Sequence, residues 1–89
     1  MSKTISQYDQ ILSECRTLLA AKNADYGDSW RIMRFTSLID QIKVKIARID
    51  QLCSEGHEAQ VSEGVDSEIR DILNYAALSL IKWREENQK

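Results

Sequence analysis

Glu68, Asp71 and Tyr75 fall at i, i+3 and i+7, so on a helix they share one narrow stripe. Asn74 stands beside them, although Asn is a mediocre residue for a helix interior. Carboxylates repeated along one helical face beside an apolar segment suit metal ligation or the acids of a phosphate site. They equally suit a solvated edge with no chemistry at all. A second concentration is KNADYGDSW, residues 22–30, which gathers Lys22, Asp25, Tyr26, Asp28 and Trp30. Tyr26 and Trp30 can stack on a flat ligand, and Lys22 can meet a phosphate as a point charge. The same two aromatics would also plug the end of a core at a helix–loop–helix corner. A third group is basic: Lys43, Lys45 and Arg48 lie along the polar side of one helix. Such a group either grips phosphate or forms a solvated, ion-paired face.

The elements that must position these residues are helices. Residues 4–22 carry Ile5, Tyr8, Ile11, Leu12, Cys15, Leu18 and Leu19 at helical spacing, with Thr4 and Gln7 placed as a capping box. Gly27 marks a turn, after which Asp28 or Ser29 can cap a helix opening at Trp30. Residues 30–53 read as helical with a break near positions 36 and 37, where Ser37 and Asp40 resemble a fresh N-terminal cap. Ile39, Ile42, Ile46, Ile49 and Cys53, flanked by Leu38 and Leu52, are the expected buried seam. Residues 54–64 have two glycines and read as a loop containing His57. The last helix spans 65–83, and the tail 84–89 is expected to fray. Its expected buried stripe is Ile69, Ile72, Leu73, Ala76, Leu80 and Trp83; Leu78 and Ile81 lie off it, so the second half is apolar nearly all round. Glu63, Asp66 and Glu68 crowd its N-terminus, where the helix dipole favours negative charge, whereas Asp71 lies beyond that explanation.

Eighty-nine residues make one small domain over 1–89, an all-α bundle of three main helices plus a short one. So short a chain, with that apolar last helix, is expected to be a homo-oligomer through the last helix and part of the second. A 43% hydrophobic and 29% charged composition is that of a globular chain and excludes a disordered tail. A net charge of −2 argues against non-specific binding to nucleic acid or an anionic membrane. No apolar run is long enough to span a membrane and no basic-then-apolar leader is seen, so a cytoplasmic location is expected. Cys15 and Cys53 occupy apolar helical positions and are expected to be buried free thiols. His57 is the only histidine, so no zinc spacing exists.

Two stretches together resemble a known family. SEIRDILNYAAL, with Glu68-Ile69-Arg70-Asp71 followed by Asn74-Tyr75-Ala76, resembles the third-helix motif of the MazG-like all-α nucleoside triphosphate pyrophosphohydrolases. KNADYGDSW, the basic second helix and DILNYA together are similar to a smaller relative, the nucleotide modification associated domain 1 family. The resemblance covers Lys22 to Leu78. It implies a nucleotide ligand and, in the pyrophosphohydrolases, Mg²⁺-dependent release of pyrophosphate with metals held by two acidic pairs on adjacent helices. Glu68 and Asp71 match the second pair as metal ligands. The first, an E-x-x-E, is missing: its place holds Asp40-Gln41-Ile42-Lys43 or Lys45-Ile46-Ala47-Arg48. Asp40 and Asp50, the only acids on that helix, are ten residues apart and cannot chelate one ion. The nucleotide-binding set implied is Lys22, Asp25, Tyr26, Trp30, Lys45, Arg48, Asn74 and Tyr75, and no catalytic residue is assigned. Two functions stay open. One is nucleotide binding, with pyrophosphohydrolase chemistry if the missing acids come from elsewhere; the other is a non-catalytic helical interaction module.

Overall fold

The computed structural model describes residues 2–55 and 58–88. Helix α1 spans Lys3–Tyr26, a 3-10 turn spans Ser29–Ile32, α2 spans Phe35–Glu55 and α3 spans Glu58–Asn87. The fold is all-α, as the periodicity predicts, and no described residue lies in a strand. No helix among the described residues is long and apolar enough to cross a membrane.

Ser2, rather than Thr4, caps α1: its hydroxyl accepts the Ile5 amide at 3.1 Å. With neither Gly nor Pro to stop it, α1 continues to Tyr26, so residues 22–26 form its last turn and not a loop. Gly27 ends it at φ 65° and ψ −160°, a region essentially reserved for glycine, and its amide donates to the Asn23 carbonyl at 2.8 Å. Asp28 then accepts from Asn23 Nδ2 at 3.1 Å and from Arg31 Nε at 3.3 Å. With its carboxylate so engaged, Asp28 makes no cap to the following turn, which is 3-10 where an α-helix from Trp30 is predicted. The break before α2 falls at Met33 and Arg34, not at positions 36 and 37. The Ser37 and Leu38 amides both donate to the Arg34 carbonyl, which places Ser37 and Asp40 inside the helix.

Helix α2 lies antiparallel to α3. Phe35 meets Trp83 at a centroid distance of 5.2 Å, and Lys45 meets Glu68 and Asp71 midway. At the far end, a Cβ on Gly64 would sit 2.7 Å from Leu52 Cδ1, so the missing side chain lets the two helices close. The inward seam of α2 is Leu38, Ile42, Lys45, Ile49 and Leu52, which runs beside the predicted one and places a lysine at its centre. Ile46 and Cys53, seven residues apart on the other side, are exposed. The predicted burial of Cys53 is therefore incorrect, whereas Cys15 is buried as expected.

Helix α3 begins earlier than the pattern suggests, so 58–64 is helical rather than loop, and it ends later, at Asn87 within the expected frayed tail. His57 and the side chain of Glu63 lie outside the described residues. The larger departure is rotational. Leu78 and Ser79 are buried, and Glu68, Asp71, Tyr75 and Lys82 are half-buried, so the polar stripe of α3 faces inward. The buried Ser79 hydroxyl donates to the Tyr75 carbonyl at 2.7 Å. Of the residues predicted to be core, Ile72 and Leu73 are half-buried, whereas Ile69, Ala76 and Leu80 face outward and Trp83 is half exposed beside Phe35. The same holds at the start of α1, where Ile5, Tyr8, Ile11 and Leu12 are exposed, leaving Cys15 buried and Leu18 and Leu19 half-buried. Two neighbouring helices cover only part of a helix circumference, and here ion pairs decide which part of α3 they cover.

Candidate functional site

The inward stripe of α3 builds two adjoining features. The first is an ion-pair cluster between all three helices. Lys45 Nζ lies 2.9 Å from Asp71 Oδ2 and 3.2 Å from Glu68 Oε2. Lys22, from α1, reaches Asp71 Oδ1 at 3.4 Å, and Arg48 stands 3.8 Å from Glu68 Oε1. The side chains of Lys45, Glu68 and Asp71 are only 14–15% exposed, whereas those of Lys22 and Arg48 are 52% and 58% exposed. The inner three groups are thus largely enclosed, and the outer two cations reach them from the surface. Lys43 takes no part and pairs loosely with Asp40 at 3.9 Å.

Burial pushes the Asp71 carboxyl up, but Lys45, with Lys22 behind it, outweighs burial and holds it below the ordinary carboxylate range. Burial likewise draws the Lys45 ammonium down, and Asp71 and Glu68 outweigh that and raise it. Glu68 Oε2 is buried with Lys45 as charge partner but makes no aligned hydrogen bond. Two carboxylates supply a small part of the oxygen shell that Mg²⁺ prefers, and Lys45 contacts both. Among the described residues no third His, Cys, Asp or Glu joins them to complete a cluster able to hold a metal. As arranged, this donor set does not fit a divalent ion.

The second feature is a cleft of about 250 Å³ that begins at Asp71. Leu19, Lys22, Asn23 and Tyr26 line it from α1, and Asp71, Asn74, Tyr75 and Leu78 from α3. Gly27, Ser29, Trp30 and Met33 close it from the connector. Its shape follows from the local chemistry already described: Gly27 turns the chain and Asp28 pins the turn. Arg31 then clamps the 3-10 segment to α3 by reaching Glu85 at 2.8 Å, while Lys82 donates to the Arg31 carbonyl at 2.5 Å. The Arg31 guanidinium stacks 4.5 Å above the Trp30 ring. Trp30 Nε1 is buried and has no acceptor in the protein, a donor left to be satisfied. Asn74 is held by donating Nδ2 to the Cys15 carbonyl at 3.1 Å. That bond explains an Asn in a helix interior.

The structure therefore brings Lys22, Tyr26, Trp30, Asp71, Asn74 and Tyr75 around one cleft. Lys45, Arg48 and Glu68 stand behind it through Asp71 and do not line it. Asp25 is exposed and apart from the lining. Asn23, Ser29 and Met33 also line the cleft. Asn23 lies one turn before a helix-ending glycine inside the same motif, a signal that points to it, whereas nothing in the sequence marks Met33.

No curated protein and no solved structure matches the chain. The model of one family does match, over residues 22–83, a span that contains both the cleft and the ion-pair cluster. The chain belongs to the nucleotide modification associated domain 1 family.

Proposed function

We propose that this domain binds a nucleotide in the cleft between α1, the 3-10 turn and α3, and that the enclosed Lys45–Glu68–Asp71 unit stands where a metal site would otherwise be. The observation that carries this reading is the cleft wall itself: three aromatic rings, Tyr26, Trp30 and Tyr75, with a buried indole N–H lacking an acceptor and an exposed lysine at the edge. At about 250 Å³ the cleft is smaller than the ~300–1,000 Å³ usual for ligand sites, so it suits a single base. The sugar and phosphate would lie at the mouth. There Lys22 exchanges Asp71 for phosphate, and Asp71 stays neutralised because Lys45 remains in place. Tyr26, largely exposed, closes over the base as the outer stacking ring.

The likeness to MazG-like pyrophosphohydrolases extends, in this reading, to the position of Glu68-x-x-Asp71 and not to turnover. In-line attack on a triphosphate needs metal-neutralised charge, and the helix facing Glu68 and Asp71 offers cations instead of acids. Little or no pyrophosphate release is therefore expected. Fluorescence tests the binding site in a Trp83→Phe background, where Trp30 is the remaining indole. Saturable change on adding nucleoside monophosphates, lost with Tyr26→Ala, is the expected result. A flat titration into the millimolar range would refute the assignment.

A further inference from the structure

The outward face of α3 carries Ile69, Leu73, Ala76, Leu80 and Trp83 at spacings of four, three, four and three, the repeat of a helix that packs against another helix. Phe35 of α2 meets it at Trp83 and Leu73 is half-buried, but most of its length is left open by the described residues. Ile69, Leu80 and Trp83 remain 46–50% exposed, and the ion pairs that tie α3 to α1 and α2 leave from Asp71 on its other side. The whole chain exposes 6777 Å². A folded monomer of this mass exposes about 5,300 Å², so roughly 1,500 Å² is in excess. That excess, to which the exposed start of α1 also contributes, is about what one partner gives to an obligate homodimer and well above the ~800 Å² of an ordinary interface. The radius of gyration agrees, at 14.9 Å against about 12 Å for a compact chain of this length.

We propose that a second copy of this chain covers the Ile69–Trp83 seam, giving an isologous dimer with its two-fold axis beside Ala76. The seam complements itself about that point. Reversing the helix about Ala76 lays Ile69 against Trp83 and brings Leu73 within one residue of Leu80, while the small side chain at the centre lets the backbones approach. The cleft lies on the opposite side of α3, so the dimer leaves both nucleotide sites open, and this inference stands whether or not they bind nucleotide.

Light scattering and sedimentation of the full chain at tens of micromolar test it. The wild type is expected at twice the 10.2 kDa chain mass. Leu80→Glu is expected at the single-chain mass with unchanged helical circular dichroism, because Leu80 is already exposed in the monomer. Ala76→Cys in a Cys53→Ser background is expected to form a disulfide-linked dimer in air. A monomeric wild type would overturn the proposal, and so would a Leu80→Glu variant that stays dimeric. Dissociation by Tyr8→Glu but not by Leu80→Glu would overturn it too, by placing the interface on α1. Failure of Ala76→Cys to cross-link would overturn the position of the axis.

Discussion

Replacing Lys45 with Met keeps the length and most of the packing of the side chain while removing its charge. The ammonium contacts two carboxylates at 2.9 and 3.2 Å, all three groups being about 85% buried. Hydrogen bonds to charged groups contribute about 1.5–3 kcal/mol each, and breaking a fully buried pair costs about 3–5 kcal/mol. Residual solvent access and the partial cover of Asp71 by Lys22 and of Glu68 by Arg48 reduce that figure. A loss of about 2–3 kcal/mol is expected, or roughly 10 °C or more in melting temperature for a domain of this size. Urea denaturation at neutral pH measures it. Adding Glu68→Gln and Asp71→Asn to Lys45→Met should restore most of the loss, because no buried charge is then left alone. The same single variant frees the carboxylate pair, so Mg²⁺ should bind Lys45→Met more tightly than the wild type in calorimetry. A loss under ~0.5 kcal/mol, the size of an exposed pair, would refute the reasoning.

Further outcomes follow from the same geometry. Asp71 is held below its ordinary value of 3.8, so its contribution is complete above that value and lost as pH falls through the lowered native value. Lys45 is raised above 10.5, so its contribution is complete below that value and lost as pH rises through the raised native value. Stability should be level in between, and Asp71→Asn should flatten the acid limb; an unchanged acid limb would count against the pair. Gly27→Ala meets no atom within 4 Å but must hold φ 65° and ψ −160°, so a loss of about 1–3 kcal/mol in urea is expected. Cys53 should react with a thiol reagent at once, while Cys15, buried and with its thiol pushed up by that burial, should react only on unfolding.

The helices themselves were legible in the sequence because spacing and glycine positions are local signals. The rotation of α3 was not. Its sequence offers two candidate inward faces, an apolar stripe through Ile69 and Leu80 and a polar one through Glu68 and Asp71. Periodicity favours the first, but Lys45 at the centre of the α2 seam selects the second, and a lone lysine in a seam reads as a surface residue until its partners are seen. Of the nucleotide-binding set that the resemblance implies, Lys22, Tyr26, Trp30, Asn74 and Tyr75 line the cleft, whereas Asp25, Lys45 and Arg48 do not. The end of α1, at Tyr26 and not Lys22, departs from the sequence pattern for a related reason. Aromatic and charged residues near a glycine resemble a loop, yet residues 22–26 contain no helix breaker.

In the proposed function the cleft takes a nucleotide without help from a protein-bound metal. Calorimetry with a nucleoside monophosphate, once in chelator and once in Mg²⁺, tests it most directly. Saturable binding of equal strength in both conditions, abolished by Trp30→Ala and weakened by Lys22→Met, is the expected result. Binding that requires Mg²⁺, or tight Mg²⁺ binding by the wild-type chain with pyrophosphate released from a triphosphate, would contradict it.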